Sequence, residues 1–210
     1  LAAIKGVGEA KARLLAKLGV VTAGDLLTYS PRRFEDRTRM ARLSDVEDGA
    51  SAVFEVRVVA VDNRVASSGK RLTKLTVEDA TGQAVVTFFN QPWLRDKFLR
   101  LRGRTLPMYG TINREGFDFA TELRDVEYDD VPGGDSLLMG RIVPFYGLTE
   151  GLSQNTMRKF MREAAPALVH LVDDALPEAL CDRLDLMPAQ EAVRQYHWPD
   201  SLHAMEAARR

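Results

Sequence analysis

Phe88, Phe89 and Trp93 fall within six residues of one another, in Val85-Val86-Thr87-Phe88-Phe89-Asn90-Gln91-Pro92-Trp93, and Arg95, Lys97, Arg100, Arg102 and Arg104 follow closely. Flat rings beside a basic rim suit unstacked nucleic-acid bases, because a base stacked on an aromatic side chain gains about 1–3 kcal/mol whatever its identity. The β-branched and aromatic run up to Phe89 has the composition of a strand, and Asn-Gln-Pro closes it, since Pro92 cannot continue a central ladder. Neighbouring side chains of a strand take opposite faces. Phe88 and Phe89 therefore cannot both enter one core, and one of them is expected to be exposed, with Trp93 just past the turn as a second ring. The same residue types also serve as core at a strand end, so their chemistry depends on the elements that position them.

Those elements are legible from the apolar periods. From Ser51 the period is two, with Phe54, Val56, Val58 and Ala60 on one wholly apolar face and Val53, Glu55, Arg57, Val59 and Val61 on the other. Ala66-Ser67-Ser68-Gly69 makes a turn between Arg64 and Lys70-Arg71. A second strand over 72–78, the tight turn Asp79-Ala80-Thr81-Gly82 and a third strand over 84–89 follow. A short helix or turn over 91–101 leads to a fourth strand over 105–112, the hairpin turn Asn113-Arg114-Glu115-Gly116 and a fifth strand over 117–127. Five strands with their only helical insertion between the third and fourth is the order of an OB-fold barrel; a small open antiparallel sheet is the alternative. OB-folds bind oligomers across strands two and three and the loops between strands one and two and four and five. Here those elements carry Arg64, Lys70, Arg71, Lys74, Phe89 and Arg114, and with Arg95 and Lys97 they supply phosphate contacts insensitive to sequence.

Helical segments flank the barrel. Ile4-Lys5-Gly6-Val7-Gly8 has the form of a glycine-tight hairpin opening a helix with Leu14, Leu15 and Leu18 on one face, similar to the second half of a helix-hairpin-helix element. Thr22 can cap a second helix that Pro31 ends. Four arginines, Arg32, Arg33, Arg37 and Arg39, then surround Phe34 without a clear period, as a phosphate contact, a latch or a solvated run. After a polar linker at 129–135, an extended apolar segment over 142–152 reaches Ser153. That serine caps a helix holding Met157, Phe160 and Met161, with Arg158, Lys159 and Arg162 expected outside. The expected organisation is a helical segment over 1–45, a barrel over 46–130, and a linker with helices over 131–210, a mixed α+β fold.

Of the 210 residues 45% are apolar and 28% charged, and the net charge is −1, so nucleic-acid binding by bulk charge is excluded and a local patch is required. The single Cys181 gives no disulfide framework. No apolar run approaches the roughly 18 residues of a bilayer span, and the cytoplasm is the expected compartment. The chain begins at Leu1 in mid-pattern and stops within a helical pattern at Glu206-Ala207-Ala208-Arg209-Arg210, as expected of a fragment. It has no phosphate loop, no metal-ligand spacing among His170, His197, His203 and Cys181, and no nucleophile motif. A binding module is expected, with no catalytic residue, metal or cofactor of its own.

Five stretches carry a family resemblance. They are Ile4-Lys5-Gly6-Val7-Gly8; Asp25-Leu26-Leu27-Thr28-Tyr29-Ser30-Pro31-Arg32-Arg33-Phe34-Glu35-Asp36-Arg37; Phe88-Phe89-Asn90-Gln91; Val143-Pro144-Phe145-Tyr146-Gly147-Leu148-Thr149-Glu150-Gly151-Leu152-Ser153; and His197-Trp198-Pro199. In this order and spacing they resemble the amino-terminal region of RecG, over essentially all 210 residues. That family comprises bacterial ATP-dependent DNA helicases that regress stalled replication forks and drive branch migration of Holliday junctions. The resemblance implies a wedge domain, an OB-fold set at the branch point, with two aromatics stacked on the parting bases. The matching positions are Phe89 and Trp93, the latter where some relatives carry tyrosine. Near Ala120-Thr121-Glu122 many relatives carry His-Pro-Glu, of which only Glu122 is present. It further implies motor domains after Arg210 that use ATP and Mg2+. The implied partners are branched DNA, those motor domains and single-stranded-DNA-binding protein, with the protein a monomer. An OB module that binds RNA or docks a protein partner is the competing reading.

Overall fold

The computed structural model describes residues 1, 4–66, 69–115, 120–129 and 136–210. In chain order the elements are α1 (Glu9–Ala16), α2 (Ala23–Leu27), β1 (Arg33–Asp36), β2 (Met40–Ala41), β3 (Ser51–Val65), β4 (Arg71–Asp79), β5 (Gly82–Phe89), α3 (Leu94–Arg100), β6 (Thr105–Asn113), β7 (Glu122–Tyr128), β8 (Ile142–Phe145), α4 (Gln154–Leu168), α5 (Glu178–Leu184), α6 (Ala189–His197) and α7 (Leu202–Ala207). They form two units, Arg37–Gly140 and Leu1–Asp36 together with Arg141–Arg210. The packing thus places the divisions at 36/37 and 140/141, not at 45/46 and 130/131. The reason is β1, which lies hidden in the arginine-rich stretch and pairs antiparallel with β8, Arg33 opposite Phe145 and Asp36 opposite Ile142. Most of the linker expected at 129–135, the turn residues Ser67, Ser68 and Gly116, and the first residues of the strand expected at 117 lie outside the described residues.

In the unit Arg37–Gly140, β3 pairs antiparallel with β4 through its second half and with β6 through its first. β4 pairs with β5, β5 runs parallel to β7, and β7 closes antiparallel onto β6. The cycle β3-β4-β5-β7-β6 and back to β3 is a closed five-stranded barrel of OB order, and it excludes the open sheet. Phe54, Val56 and Val58 of β3, Leu75 and Val77 of β4, and Val86 of β5 are fully buried inside it, and α3 adds Leu94 and Phe98. At the β4–β5 turn the Asp79 carboxylate accepts from the Thr81 hydroxyl and from the Leu43, Thr81 and Gly82 N–H groups. Burial alone would raise the pKa of Asp79, but these donors together hold it below the usual carboxylate value.

Two bulges re-aim side chains. In β3, Val58 stands opposite Val77 but Ala60 opposite Thr76, so Val59 is an extra residue, and Arg102 Nε donates to its carbonyl at 3.0 Å. The strict alternation expected from Ser51 therefore fails after Val58. Val61 turns inward against the core opposite Leu75, whereas Ala60 leaves the apolar face. In β7, Asp125 takes φ +52, opposite the register shift at Gly110. A Cβ at Gly110 would lie 3.2 Å from the Arg124 carbonyl and 3.2 Å from Val126 Cγ2.

Arg37 is buried rather than solvated. It ion-pairs with Glu127 at 2.9 Å and lies 3.6 Å over the Tyr109 ring, so the barrel's own unit uses its charge. The other unit has a separate core of Leu15, Leu26, Met157, Phe160 and Met161 with Tyr146. Thr22 and Asp25 form a reciprocal capping box on α2, and Ser153 caps α4. Arg158, expected outside, is fully buried: Nε donates to the Pro144 carbonyl at 3.0 Å and the guanidinium covers Phe145. It stands at the margin of the α4 apolar stripe, where its planar group can satisfy β8 and stack at once. His197 is also buried, with Nε2 2.6 Å from the Leu27 carbonyl and Nδ1 3.0 Å from the Tyr146 hydroxyl. A carbonyl only accepts, so Nε2 carries the proton and Nδ1 accepts from Tyr146. Burial lowers the His197 pKa, against the raising effect of the Leu27 bond, and burial raises that of Tyr146. No helix among the described residues is long and apolar enough to cross a membrane.

Candidate nucleic-acid interface

Period-two alternation at the end of β5 sends Phe88 into the barrel, where its ring lies 5.8 Å from that of Phe98, and Phe89 out, 60% exposed. Asn90 ends the strand in the left-handed region, φ +56, which asparagine tolerates better than most residues, and its N–H donates to the Arg71 carbonyl at 2.7 Å. The Gln91 carbonyl accepts from Leu94 N–H at 3.1 Å, which starts α3 with Trp93 as its N-cap. Trp93 is 63% exposed. Two large rings thus stand in solvent four residues apart in sequence, one on a strand and one on a helix terminus.

Register decides which cations share a face with Phe89. Paired residues of antiparallel strands lie on one side, so Arg64, Leu72 and Phe89 form one outer row and Asp62, Lys74 and Thr87 the next. The bulge at Val59 is what turns Arg64 outward; without it Arg64 would fall on the core side. Arg71 pairs with Val65 and takes the opposite face, while Lys70 is exposed beside the turn. Arg95 is exposed and paired with its neighbour Asp96 at 3.2 Å. Lys97 directs its ammonium back at the barrel, 4.7 Å from the Tyr128 ring centroid. Arg114 is withdrawn from the expected patch, because Nη2 donates to the carbonyls of Leu43, Ser44 and Val46 and so fastens that loop. Arg64 and Lys74 therefore share a face with Phe89, whereas Arg71 does not.

Between this face and β7 runs a groove of about 630 Å3, lined by Leu72, Lys74, Thr87 and Phe89 on one side and by Glu122, Arg124 and Asp125 on the other. Arg124 is held by Glu122 at 3.1 Å. The groove mixes charges and is not a basic trough. Sequence reading missed its acidic wall, and it also missed Thr73, a fully buried polar residue in the same inward row as Leu75 and Val77. The signal was available, since a hydroxyl at a core position requires a partner. Among the described residues no cluster of His, Cys, Asp and Glu is arranged to hold a metal ion.

A family model described as the RecG wedge domain matches residues 1–168. The chain belongs to the RecG wedge family. The ATP-dependent DNA helicase RecG of Thermotoga maritima is 30% identical over 205 residues, covering 98% of this chain and 26% of the relative. That of Streptococcus pneumoniae is 34% identical over 212 residues, with 99% and 29% covered. That of Escherichia coli K12 is 31% identical over 202 residues, with 95% and 28% covered. Among solved structures, RecG bound to a three-way DNA junction matches with a TM-score of 0.86 at 29% identity, over 98% of this chain and 28% of that one. The chain thus spans 26 to 29% of the length of these RecG relatives.

Proposed function

We propose that this chain is the branch-binding wedge of an ATP-dependent DNA helicase that regresses stalled forks and migrates junctions. Phe89 and Trp93 stack on the bases exposed where parental strands part, and Arg64, Lys70, Lys74 and Arg95 contact phosphates, with Arg71, on the opposite face of β4, and Lys97 in lesser roles. Opening a base pair costs on the order of 1.4 kcal/mol of stacking per step. Each ring that replaces lost stacking returns about 1–3 kcal/mol, which offsets that cost at a branch and offers nothing to an intact duplex. The wedge then supplies selectivity for branched DNA, and the motor domains of the longer protein, where ATP and Mg2+ would act, supply direction. Single-stranded-DNA-binding protein is a further partner in this reading, and the working form is a monomer.

The observation that carries the proposal is the exposure of both rings, 60% for Phe89 and 63% for Trp93. The test is fluorescence anisotropy of a labelled replication fork competed by unlabelled duplex, single-stranded DNA and RNA. Wild type is compared with a variant carrying Phe89→Ala and Trp93→Ala. The expected result is a fork preference that the double substitution abolishes. Wild type binding fork and duplex equally, or preferring RNA, would overturn the reading.

A further inference from the structure

We infer that Thr73 is a positioning residue for the Phe89–Trp93 turn, its hydroxyl relaying a hydrogen bond from the Asn63 amide to the Gln91 carbonyl. The consequence for DNA rests on the stacking proposed above; the consequence for the turn does not.

Thr73 has no exposed surface and faces the core side of β4, opposite Phe88 on one flank and Asn63 on the other. Its Oγ1 lies 2.9 Å from Asn63 Oδ1 and 3.0 Å from the Gln91 carbonyl oxygen. A hydroxyl has one proton and cannot satisfy two acceptors in full. Turning the Asn63 amide over, which exchanges two atoms that are alike in shape, lets Nδ2–H donate to Oγ1 and leaves the Thr73 proton for Gln91. All three groups are then paired. The β3 bulge at Val59 makes this possible, since it rotates Asn63 onto the face of Thr73.

The relay holds the Gln91 carbonyl, in the middle of the turn between the two rings. Upstream, Asn90 N–H is tied to the Arg71 carbonyl at 2.7 Å; downstream, Leu94 N–H is tied to Gln91 at 3.1 Å. Pro92, between them, has its φ fixed by its ring. With Gln91 also anchored to Thr73, few free torsions remain between Phe89 and Trp93. Without the hydroxyl, Phe89 stays on the ladder opposite Leu72, but the turn before Trp93 loses its polar tie to β4, and only the apolar packing of Leu94 and Phe98 still holds α3 to the barrel. Stacking at two positions needs both rings placed before the bases arrive.

The test uses Thr73→Val, which keeps the shape and removes the hydroxyl, and Thr73→Ser, which keeps the hydroxyl. Both are made with Trp198→Phe, so that Trp93 is the sole tryptophan of the two in the chain. Time-resolved anisotropy of Trp93 without DNA reads the turn, and fork-against-duplex competition reads the consequence. In Thr73→Val, Trp93 is expected to gain local motion and the fork preference to fall about fivefold or more, with duplex affinity unchanged and both effects reversed in Thr73→Ser. Unchanged Trp93 motion in Thr73→Val overturns the assignment. A looser Trp93 with intact fork preference upholds it and overturns the stacking reading instead. If Thr73→Val does not fold, Asn63→Asp decides: a carboxylate only accepts, so it draws the Thr73 proton away from Gln91 and should loosen Trp93, and a Trp93 left unmoved sinks the relay.

Discussion

Phe88 and Phe89 are adjacent and chemically identical, so replacing each by alanine separates burial from display. Phe88 is 9% exposed, and its ring lies 5.8 Å from that of Phe98 and 6.1 Å from that of Tyr128. Truncating a phenylalanine so packed costs about 3–5 kcal/mol, which for a unit of this size lowers the melting midpoint by more than about 12 °C. Phe89 is 60% exposed, so two-fifths of it is hidden. Fully burying a phenylalanine is worth about 1.5–3 kcal/mol, and two-fifths of that is about 0.6–1.2 kcal/mol. Its loss should lower the midpoint by about 2–10 °C, less than the loss of Phe88. For fork binding the ranking reverses: Phe89→Ala removes one stacking platform, about 1–3 kcal/mol, and weakens the fork about fivefold to 150-fold while leaving duplex affinity alone. Thermal unfolding of both variants, with anisotropy titrations of fork and duplex, provides the four numbers needed. If Phe89→Ala melts as early as Phe88→Ala, or binds the fork as tightly as wild type, the division of labour argued from β5 is wrong.

Replacing Arg64 and Lys74 together by alanine should flatten the dependence of log affinity on log salt by about 0.9 per lost duplex phosphate contact. Lys97→Ala should change the slope less, because its ammonium is directed at Tyr128. Glu122→Gln with Asp125→Asn should raise duplex affinity and shrink the preference for forks, measured in the same competition. In Gly147→Ala the new Cβ would lie 2.7 Å from Arg32 Nε and 2.8 Å from the Tyr29 hydroxyl; overpacking of this kind costs about 1–3 kcal/mol, visible as a lower melt. Burial, the main cause, lowers the folded-state pKa of His197, so the unfolded chain takes up its proton first as pH falls. The stability that neutral His197 contributes is therefore complete above about pH 6.5 and lost as pH drops from there toward the depressed folded value; urea titrations across that window should show the loss, and His197→Gln should remove it.

The barrel was legible because each strand keeps one face apolar over several residues, as Leu75 with Val77 and Leu106 with Met108 do. It ceased to be legible where geometry intervenes between pattern and face. A single extra residue at Val59 reverses the parity of everything beyond it, and no composition rule marks that residue within the run Val58-Val59-Ala60-Val61. Pairing across the chain is equally silent: Arg33 to Asp36 read as an irregular charged stretch until Phe145 to Ile142 stand opposite them. Burial of Arg37 and Arg158 follows from aromatic faces, Tyr109 and Phe145, brought from distant positions. For the candidate interface, the strand period of β5 was enough to expect one of Phe88 and Phe89 in solvent, and Phe89 is the exposed one. It could not assign the cations to faces, because that depends on register.

The stretches that carried the family resemblance divide unequally between scaffold and interface. Tyr29 donates to the Gly147 carbonyl at 3.0 Å, Tyr146 bonds His197, and His197 bonds Leu27, so three of the five stretches meet in one buried network. The short run at Phe88-Phe89-Asn90-Gln91 belongs to the barrel and carries Phe89 on its outer face. On that face the charge is mixed, with Lys74 and Arg64 opposed by Asp62, Glu122 and Asp125, which would oppose a continuous track of phosphates through the groove. Bases carry no such charge and can lie beside carboxylates without repulsion. In the proposed function exposed bases would lie over the groove and phosphates at its cationic margin, and the acidic wall would then weaken general affinity for duplex while sharpening the distinction between duplex and branch.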